Sequence, residues 1–364
     1  MQNYIDLLRY VRENGVFKGD RTGTGCYSSF AHMLKWDLRD GLPVVTTKEV
    51  HLKSVIHELL WFLSGSDNIG YLQENGVKIW DGWALKEDVL VKCPRPISSV
   101  IADYADAIGS TFAEAQRQLN TAASTSENRS EANAVGKDFD LLREAGVKWE
   151  TQVATRKAGD VGPMYGAQWR KGFPGIDQIK EAERQLRERP NSRRIRVTAW
   201  NPVDLPDESV SPQENVKQGR AALASCHCDF QLVTEKIPEE ERAKLVVKEG
   251  NTVPEYYLNL HFTMRSWDLF LGGPFNIASY AILQKMFARS ANMIAKELAV
   301  TGVDVHLYSN HLEQVDLQLT REPRQMPLLD LRKPVGTSVL DYVYEDIVVL
   351  DYNPHPAIKA PISI

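Results

Sequence analysis

Cysteines and arginines are the residues of this 364-residue chain whose types and spacing first suggest chemistry. Cys226 lies in the segment SCHCDF, and a thiolate close to arginines would have a lowered pKa and act as a nucleophile. The alternative is a small apolar residue in the core of a strand, the common role of isolated cysteines. A zinc site is disfavoured, because no second ligand pair follows and adjacent residues of a strand point to opposite faces.

Arginines recur at the predicted ends of elements, where they could bind an anion. Arg193 and Arg194 lie in NSRRIRV, Arg21 lies in the loop DRTGTG, and Arg265 precedes Ser266 after a long alternating segment. Guanidinium groups suit phosphate because they form bidentate hydrogen bonds. The net charge is −5, so phosphate recognition must come from such local arginines and not from a generally basic surface.

Several other polar residues have both a structural and a chemical interpretation. Glu58, within VIHELLWFL, is either a salt-bridged helix carboxylate or an acid/base group that faces a cavity. Asn276 follows Asp268 and a Gly-Gly-Pro turn, and it is either a helix N-cap or an amide that pairs with the O4 and N3–H edge of uracil. His306 and Tyr308 share a strand face, where they either pack or bind a sugar hydroxyl.

Apolar periodicity and turn residues predict the elements that must position these side chains. The predicted helices are an N-terminal one that ends before Gly15 and those at 53–64, 67–75, 176–188, 276–298 and 310–322, and the predicted strands are 28–38, 194–200, 228–235, 255–264 and 303–309. Residues 204–222 and 236–254 are interpreted as polar excursions. Strands and helices mix without strict alternation, which favours an α+β fold over a doubly wound parallel sheet.

The composition is that of an ordinary globular protein, with 43% hydrophobic and 25% charged residues. Residues 85–160 lose aromatics and gain Ala, Ser, Glu, Arg and Asn, so we interpret them as a mainly helical insertion in a single catalytic domain that spans 1–364. The apolar runs are too short to cross a membrane, the N-terminus lacks a signal-peptide pattern, and four cysteines are too few for a disulfide scaffold. We therefore expect a soluble cytoplasmic protein with reduced thiols.

Longer segments, taken in order, resemble the thymidylate synthase family: FKGDRTGTG, HLKSVIHELLWFLSG, VGPMYGAQWR, NSRRIRVTAWNP, RSWDLFLGGPFNIASYAIL, HLYSNHLEQ and PHPAIKAPISI. The resemblance implies an α+β homodimer around a large twisted mixed sheet flanked by helices, in which each active site borrows residues from its partner. It also implies that dUMP is methylated to dTMP with 5,10-methylenetetrahydrofolate as co-substrate. It implies no metal, no membrane and no obligatory nucleic acid partner.

The resemblance also implies a role for each candidate residue. Cys226 would add to C6 of the pyrimidine, Glu58 would organise the water that moves protons, and Tyr165 would lie near the C5 proton. Asp268 and Asn276 complete the catalytic set, with Asn276 reading the base. The substrate would be bound by Arg21, Arg265, Ser266, His306 and Tyr308, together with Arg193 and Arg194 from the other subunit. The folate site would be lined by Ile79, Trp80, Trp83, Asp268, Leu271, Gly272 and Phe275, and closed by the tail that ends at Ile364.

Four positions depart from the common pattern of the family: Ser225, Asp229, Met264 and Glu49. Glu49 stands where a basic residue usually helps to bind the folate glutamate tail. These changes leave open a pyrimidine 5-hydroxymethylase, in which water rather than hydride quenches the methylene intermediate. A catalytically silent paralogue that binds nucleotide or RNA is a further alternative. Asn276 and the PHPAIKAP tail favour the uracil-methylating enzyme, because a cytosine-specific relative would carry Asp at this position and often lacks the tail.

Overall fold

The structure is a computed structural model that describes residues 1–19, 23–94, 97–124, 137–148, 151–245 and 252–362. Its strands are β1 (Val16–Lys18), β2 (Cys26–Asp37), β3 (Val89–Pro94), β4 (Thr151–Arg156), β5 (Arg196–Thr198), β6 (His227–Lys236), β7 (Tyr256–Asp268), β8 (Ile294–Tyr308), β9 (Leu328–Leu331) and β10 (Ile347–Leu350). Its α-helices are α1 (Gln2–Asn14), α2 (Leu52–Ser64), α3 (Gly70–Glu74), α4 (Ile97–Ala107), α5 (Phe112–Ser124), α6 (Lys137–Glu144), α7 (Gly166–Lys171), α8 (Gln178–Glu188), α9 (Pro212–Lys217), α10 (Glu239–Arg242), α11 (Gly272–Ser290) and α12 (Leu312–Leu319).

A six-stranded mixed sheet forms the centre of the molecule, with the strand order β1-β2-β8-β7-β6-β5. Its neighbours pair antiparallel except β7 and β8, which run parallel and are joined by α11. Helix α11 is buried along most of its length and packs on β7 and β8. The predicted α+β class, with a large mixed sheet flanked by helices, is confirmed.

Helices whose ends are set by local residues agree with the sequence prediction. Helix α1 buries the predicted face and ends before Gly15, and α2 ends at Gly65, whose φ of 71° is the left-handed conformation that favours glycine. Helix α8 begins at Asp177, whose carboxylate accepts a hydrogen bond from the backbone N–H of Lys180, and it ends just before Pro190.

The predicted helix over 276–298 is wrong at its C-terminal end. Helix α11 starts four residues earlier and stops at Ser290, and β8 begins at Ile294. Asn292 makes the turn with a φ of 51°, and Ile294 then pairs with Tyr257 of β7. The helix-forming residues that follow are therefore recruited into the centre of the sheet, because tertiary pairing outweighs local propensity.

Two polar excursions contain structure that the sequence analysis did not foresee. The first, 204–222, contains helix α9, and the second, 236–254, contains the short helix α10. The strand predicted at 194–200 is reduced to β5 at the edge of the sheet. In the first excursion, local capping stabilises a helix in a polar segment. Ser211 caps α9 by accepting a hydrogen bond from the Glu214 N–H at 3.1 Å.

The described part of 85–160 contains β3 and β4, which pair antiparallel, and helices α4, α5 and α6. Their apolar side chains form a small hydrophobic cluster of their own, which includes Val100, Ile101, Tyr104, Leu119 and Leu142. The boundaries of the insertion, and the single domain around it, stay predictions. Among the described helices, none is both long and apolar enough to cross a membrane.

Candidate active site

The Cys226 thiol lies just before β6, where four hydrogen bonds fix the surrounding backbone. The Cys226 N–H donates to the Tyr165 hydroxyl at 3.0 Å, and its carbonyl accepts from the Arg265 N–H at 2.9 Å. The Arg265 guanidinium donates to the carbonyls of Ala224 and Ser225 at 2.8 and 3.0 Å, and its Nη2 lies 3.9 Å from Cys226 Sγ. The structure therefore brings together Cys226, Arg265 and Tyr165.

Burial raises the pKa of the Cys226 thiol, against the expectation that neighbouring arginines would lower it. Arg265 and the Tyr165 hydroxyl both favour the thiolate, but desolvation outweighs them, and the charge of Asp268 adds to the rise. The thiol is therefore mostly protonated at neutral pH.

Arg193 and Arg194 do not approach Cys226 within one subunit. Both are exposed, and the Arg193 carbonyl accepts a hydrogen bond from the Gln231 side chain at 3.2 Å. Gln231 lies five residues beyond Cys226, which corresponds to roughly 15 Å of strand. Among the described residues neither arginine has an acidic partner within ion-pair distance. Arg21 and Ile364 lie outside the described residues.

His227 points away from the thiol and holds Tyr165 in place. It is buried, its Nδ1 lies 2.9 Å from the Tyr280 hydroxyl, and its ring stacks on that of Tyr165 with 4.0 Å between centroids. Burial lowers the pKa of His227 to about 3, so the ring is neutral. The side chain of His227 therefore contacts Tyr165 and Tyr280 and not the Cys226 thiol. Within the described ranges, no group of three or more metal-ligating side chains occurs.

Tyr165 has a strained backbone, with a φ of 40° and ψ of −103° at the start of α7. The next residue is Gly166, where a Cβ would lie 2.1 Å from the carbonyl oxygen of Phe62 in α2. Only glycine permits this approach. Burial raises the pKa of Tyr165 far above its usual value, so its hydroxyl stays protonated beside Cys226.

Glu58 is the acid/base candidate, and its only described hydrogen-bond donor is Trp80. The indole Nε1 donates to Oε1 of Glu58 at 2.8 Å, and no cation in the described part of the chain forms a salt bridge with this carboxylate. Burial raises the pKa of Glu58 to about 7, although the Trp80 hydrogen bond opposes the rise. A carboxyl group with this pKa can take up and release a proton at neutral pH, which favours the acid/base interpretation over the salt bridge.

We expect Glu58→Gln to change the pH dependence of stability. The pKa of Glu58 rises from 4.5 to about 7 on folding, so the folded state retains a proton that the unfolded state releases. The free energy of unfolding of the wild type should fall, relative to the variant, as the pH rises between those two values, and level off above them. Urea unfolding of both proteins across this interval measures the difference. Parallel pH curves would contradict the raised pKa.

Asp268 and Asn276 face one another across the start of α11. The Asp268 carboxylate accepts hydrogen bonds from the backbone N–H groups of Phe270 and Leu271, each at 3.1 Å. A Cβ on Gly272 would lie 3.6 Å from Asn276 Oδ1 and 3.8 Å from Asp268 Cβ. The helix N-cap is Leu271, so the N-cap interpretation of Asn276 is wrong.

His306 and Tyr308 lie at the end of β8 beside this group. Asp268 and His306 are paired across the parallel strands, and the rings of His306 and Tyr308 are 5.3 Å apart. Burial alone would lower the pKa of His306, but the hydrogen bond with Asp304 and the charges of Asp268 and Asp304 raise it. Ser266 follows Arg265 on β7, one strand away.

Apolar side chains form the wall expected to contact a folate ring. Trp80 is buried, and its ring lies 5.5 Å from that of Trp83 and 5.8 Å from that of Tyr165. The partly buried residues that pack on the same core are Ile79, Trp83, Leu271 and Phe275, joined by Ile358 and Ala360 of the C-terminal tail. The tail is held to the body where Pro361 O lies 2.7 Å from His311 Nε2.

Lys48 is a functional candidate that the sequence analysis missed. It is only 5% exposed, its Nζ donates to the Phe270 carbonyl at 2.6 Å, and it lies 3.4 Å from the centre of the Phe270 ring. Burial lowers the pKa of Lys48 to about 7, against the attraction of Asp268. Lysines are rarely buried, and nothing in the segment TTKEVHL distinguishes this one from a surface lysine. The neighbouring Glu49 is exposed.

Comparisons with known proteins identify the family to which the chain belongs. The family model described as thymidylate synthase matches residues 2–364. The chain belongs to the thymidylate synthase family. Curated relatives include the thymidylate synthase of Francisella philomiragia subsp. philomiragia, 39% identical over 366 residues, and that of Francisella tularensis subsp. holarctica, 39% identical over 365 residues. Both comparisons cover 100% of this chain and 100% of the relative, so family membership extends across both excursions and the insertion. The family name supports an enzyme of the methyltransferase kind.

Proposed function

We propose that this protein converts dUMP to dTMP with 5,10-methylenetetrahydrofolate and releases dihydrofolate. The observation that carries the proposal is the continuous series of contacts from the thiol to the acid/base group. Tyr165 is hydrogen bonded to the backbone of Cys226 and its ring lies against Trp80, which in turn donates to Glu58. A nucleophile, a proton carrier and an aromatic wall therefore surround one site.

The chemistry begins with activation of the pyrimidine. The Cys226 thiolate adds to C6, which makes C5 nucleophilic, and C5 then attacks the one-carbon unit of the folate. Burial disfavours the thiolate in the free protein, while Arg265, whose Nη2 lies 3.9 Å from Cys226 Sγ, favours it and would stabilise the nucleophile. Glu58 would then guide proton transfer to and from the base through water, near the Tyr165 hydroxyl.

The second half of the reaction requires that water is excluded. Loss of the C5 proton and elimination of tetrahydrofolate leave an exocyclic methylene, which receives a hydride from tetrahydrofolate to become the methyl group. The C6–S bond then breaks, which restores the C5=C6 double bond and releases dTMP, the Cys226 thiolate and dihydrofolate. Trp80 and the C-terminal tail would shield this methylene. Asp229, which could have placed a water molecule, instead pairs with Arg196 at 2.8 Å and accepts from the Thr263 hydroxyl at 3.2 Å. This partnering favours hydride transfer over hydroxymethylation.

Substrate recognition would use residues from two subunits. Arg265 and Ser266, with Arg21, would bind the phosphate, and His306 and Tyr308 would bind the 3′-hydroxyl. The exposure of Arg193 and Arg194, and their distance from the Cys226 of their own chain, support a homodimer in which they serve the opposite site. Phe30 and Met33 of β2, which are 81% and 59% exposed, would lie at the dimer interface.

Product analysis tests the proposal directly. Purified protein with dUMP and 5,10-methylenetetrahydrofolate should give dTMP and an equal amount of dihydrofolate, followed by mass spectrometry and by the absorbance of dihydrofolate. A nucleotide one oxygen heavier than dTMP, without the absorbance rise, would establish the hydroxymethylase. Absence of turnover with retained nucleotide binding would establish the silent paralogue.

We expect Asn276→Asp to shift the preference from dUMP toward dCMP. The asparagine amide donates to O4 and accepts from N3–H of uracil, whereas a neutral aspartic acid can accept from the cytosine amino group and donate to N3. Each unsatisfied buried partner costs ~1–3 kcal/mol, so two mismatches change the ratio of kcat/KM values by about a hundredfold or more. Paired kinetics with both nucleotides measure the ratio. Wild-type turnover of dCMP equal to that of dUMP would refute this role for Asn276.

A further inference from the structure

Helix α9, in the excursion 204–222, rests against the turn that carries the two tryptophans of the folate wall. The Gln213 side chain donates through Nε2 to the Gly82 carbonyl at 2.8 Å, across 131 residues of sequence. Gly82 lies between Trp80 and Trp83, and the turn is closed by the Trp83 N–H donating to the Trp80 carbonyl at 3.1 Å. Gln213 thus contacts the middle of this turn from outside.

Helix α9, which carries Gln213, is itself held by contacts with neighbouring segments. Asn215 is buried, donates to the Asp207 carbonyl at 2.9 Å and accepts from the Asp207 N–H at 2.7 Å. At the C-terminal end of α9, a Cβ on Gly219 would lie 3.3 Å from Nη2 of Arg156, so the guanidinium of β4 lies against this end of the helix. Asn215 therefore ties α9 to Asp207, and Gln213 projects from the same helix.

The same excursion is joined to the segment that carries the nucleophile. The Ala222 N–H donates to the Val161 carbonyl at 2.9 Å, and the Ala221 N–H donates to the Asp204 carbonyl at 2.9 Å. The Asp204 carboxylate accepts from Gln168 in α7 at 2.7 Å. The excursion consequently connects the tryptophan turn with Val161 and Gln168, which lie on either side of Tyr165 in the sequence.

We propose that Gln213 is a positioning residue for the folate co-substrate, which fixes the Gly82 carbonyl so that Trp80 and Trp83 present their rings to the folate and Trp80 keeps its hydrogen bond to Glu58. The inference rests on the proposed function and extends it by giving the excursion a role. Gln213 would act through its hydrogen bond to the turn and not by contact with either reactant.

The test is Gln213→Glu, which keeps the size of the side chain and replaces the donor by an oxygen that repels the Gly82 carbonyl. The KM for 5,10-methylenetetrahydrofolate should rise about fivefold to tenfold, the range that corresponds to loss of one hydrogen bond. The Kd of dUMP, measured by equilibrium dialysis without folate, should stay within about twofold. The inflection of kcat/KM that reports Glu58 should move upward, since the Trp80 hydrogen bond holds down the pKa of this carboxyl group.

Gln218→Glu is the matched control, because Gln218 is exposed just after the same helix and its side chain makes no hydrogen bond among the described residues. It should leave the KM for the folate, the Kd of dUMP and the pH profile unchanged.

If Gln213→Glu fails to fold, Gln213→Met removes the donor without adding charge and should give the same rise in KM. An active wild type whose folded Gln213 variants keep its KM and pH profile would overturn this inference alone. A parallel weakening of dUMP binding would overturn it too, because that indicates general loss of structure. A wild type that forms no dTMP would instead overturn the proposed function.

Discussion

Serine in place of Cys226 should reduce dTMP formation by several orders of magnitude while dUMP still binds. The hydroxyl is almost never ionised at neutral pH, so the covalent addition at C6 is lost, and loss of one covalent step has effects of this size. Binding should persist because Arg265 is held by the carbonyls of Ala224 and Ser225, which the substitution does not touch. Steady-state rates and equilibrium dialysis with dUMP measure the two effects separately.

Cys228→Ser is the control, since it makes the same replacement of sulfur by oxygen two residues farther along the chain, in β6. The Cys228 Sγ lies near the carbonyls of Ser225 and Cys226, at 3.7 and 3.8 Å, and has no contact with Tyr165 or Glu58 in the described structure. Its activity should stay close to that of the wild type. If Cys226→Ser retains activity within about tenfold of wild type, Cys226 is not the nucleophile, and Cys228 becomes the candidate.

Mixing two inactive variants should restore activity if the arginines serve the opposite subunit. Arg193→Ala leaves Cys226 intact, and Cys226→Ser leaves Arg193 intact. In a mixed dimer, one site has both native residues and the other has neither. Random exchange makes about half of the dimers mixed, so the recovered rate should approach about a quarter of the wild-type rate. The measurement is dTMP formation after the mixed chains are denatured and refolded together.

The control for this mixture replaces Arg193→Ala by a chain that carries both substitutions, which cannot complete any site. It should give no recovery. Differently tagged chains show by co-purification that mixed dimers have formed. Mixed dimers without activity would mean that Arg193 acts within its own subunit, which would require a rearrangement of roughly 15 Å from its present place along β5 and β6.

Sequence patterns located the elements whose ends depend on neighbouring residues. Gly15, Gly65 and Asp177 each act within one turn of helix, so α1, α2 and α8 could be predicted closely. The change from helix to strand between Ser290 and Ile294 could not, because it is decided by Tyr257 on a strand that precedes it by more than thirty residues. Local preference and long-range pairing conflict there, and pairing prevails.

In the candidate site too, the residues could be predicted from the sequence, but the properties that depend on long-range packing could not. Residue types and resemblance predicted that Cys226, Arg265, Tyr165, Glu58 and Trp80 belong to one site, and the structure brings these five together. The shift of the Cys226 pKa was predicted in the wrong direction, since burial cannot be read from a motif. Lys48 was missed for the same reason, and Gln213 because its partner Gly82 is 131 residues away.

The contact of Gly166 with Phe62 has a consequence for how the site can move. The absence of a side chain at Gly166 lets α7 and α2 meet backbone to backbone, and these two helices carry or adjoin Tyr165 and Glu58. A hinge needs room for the backbone to rotate, and here there is none, so the hydroxyl and the carboxyl travel as one rigid block. Closure over bound reactants would come from parts outside this block, and the C-terminal tail, which packs through Ile358 and Ala360 and is held where Pro361 meets His311, is the candidate.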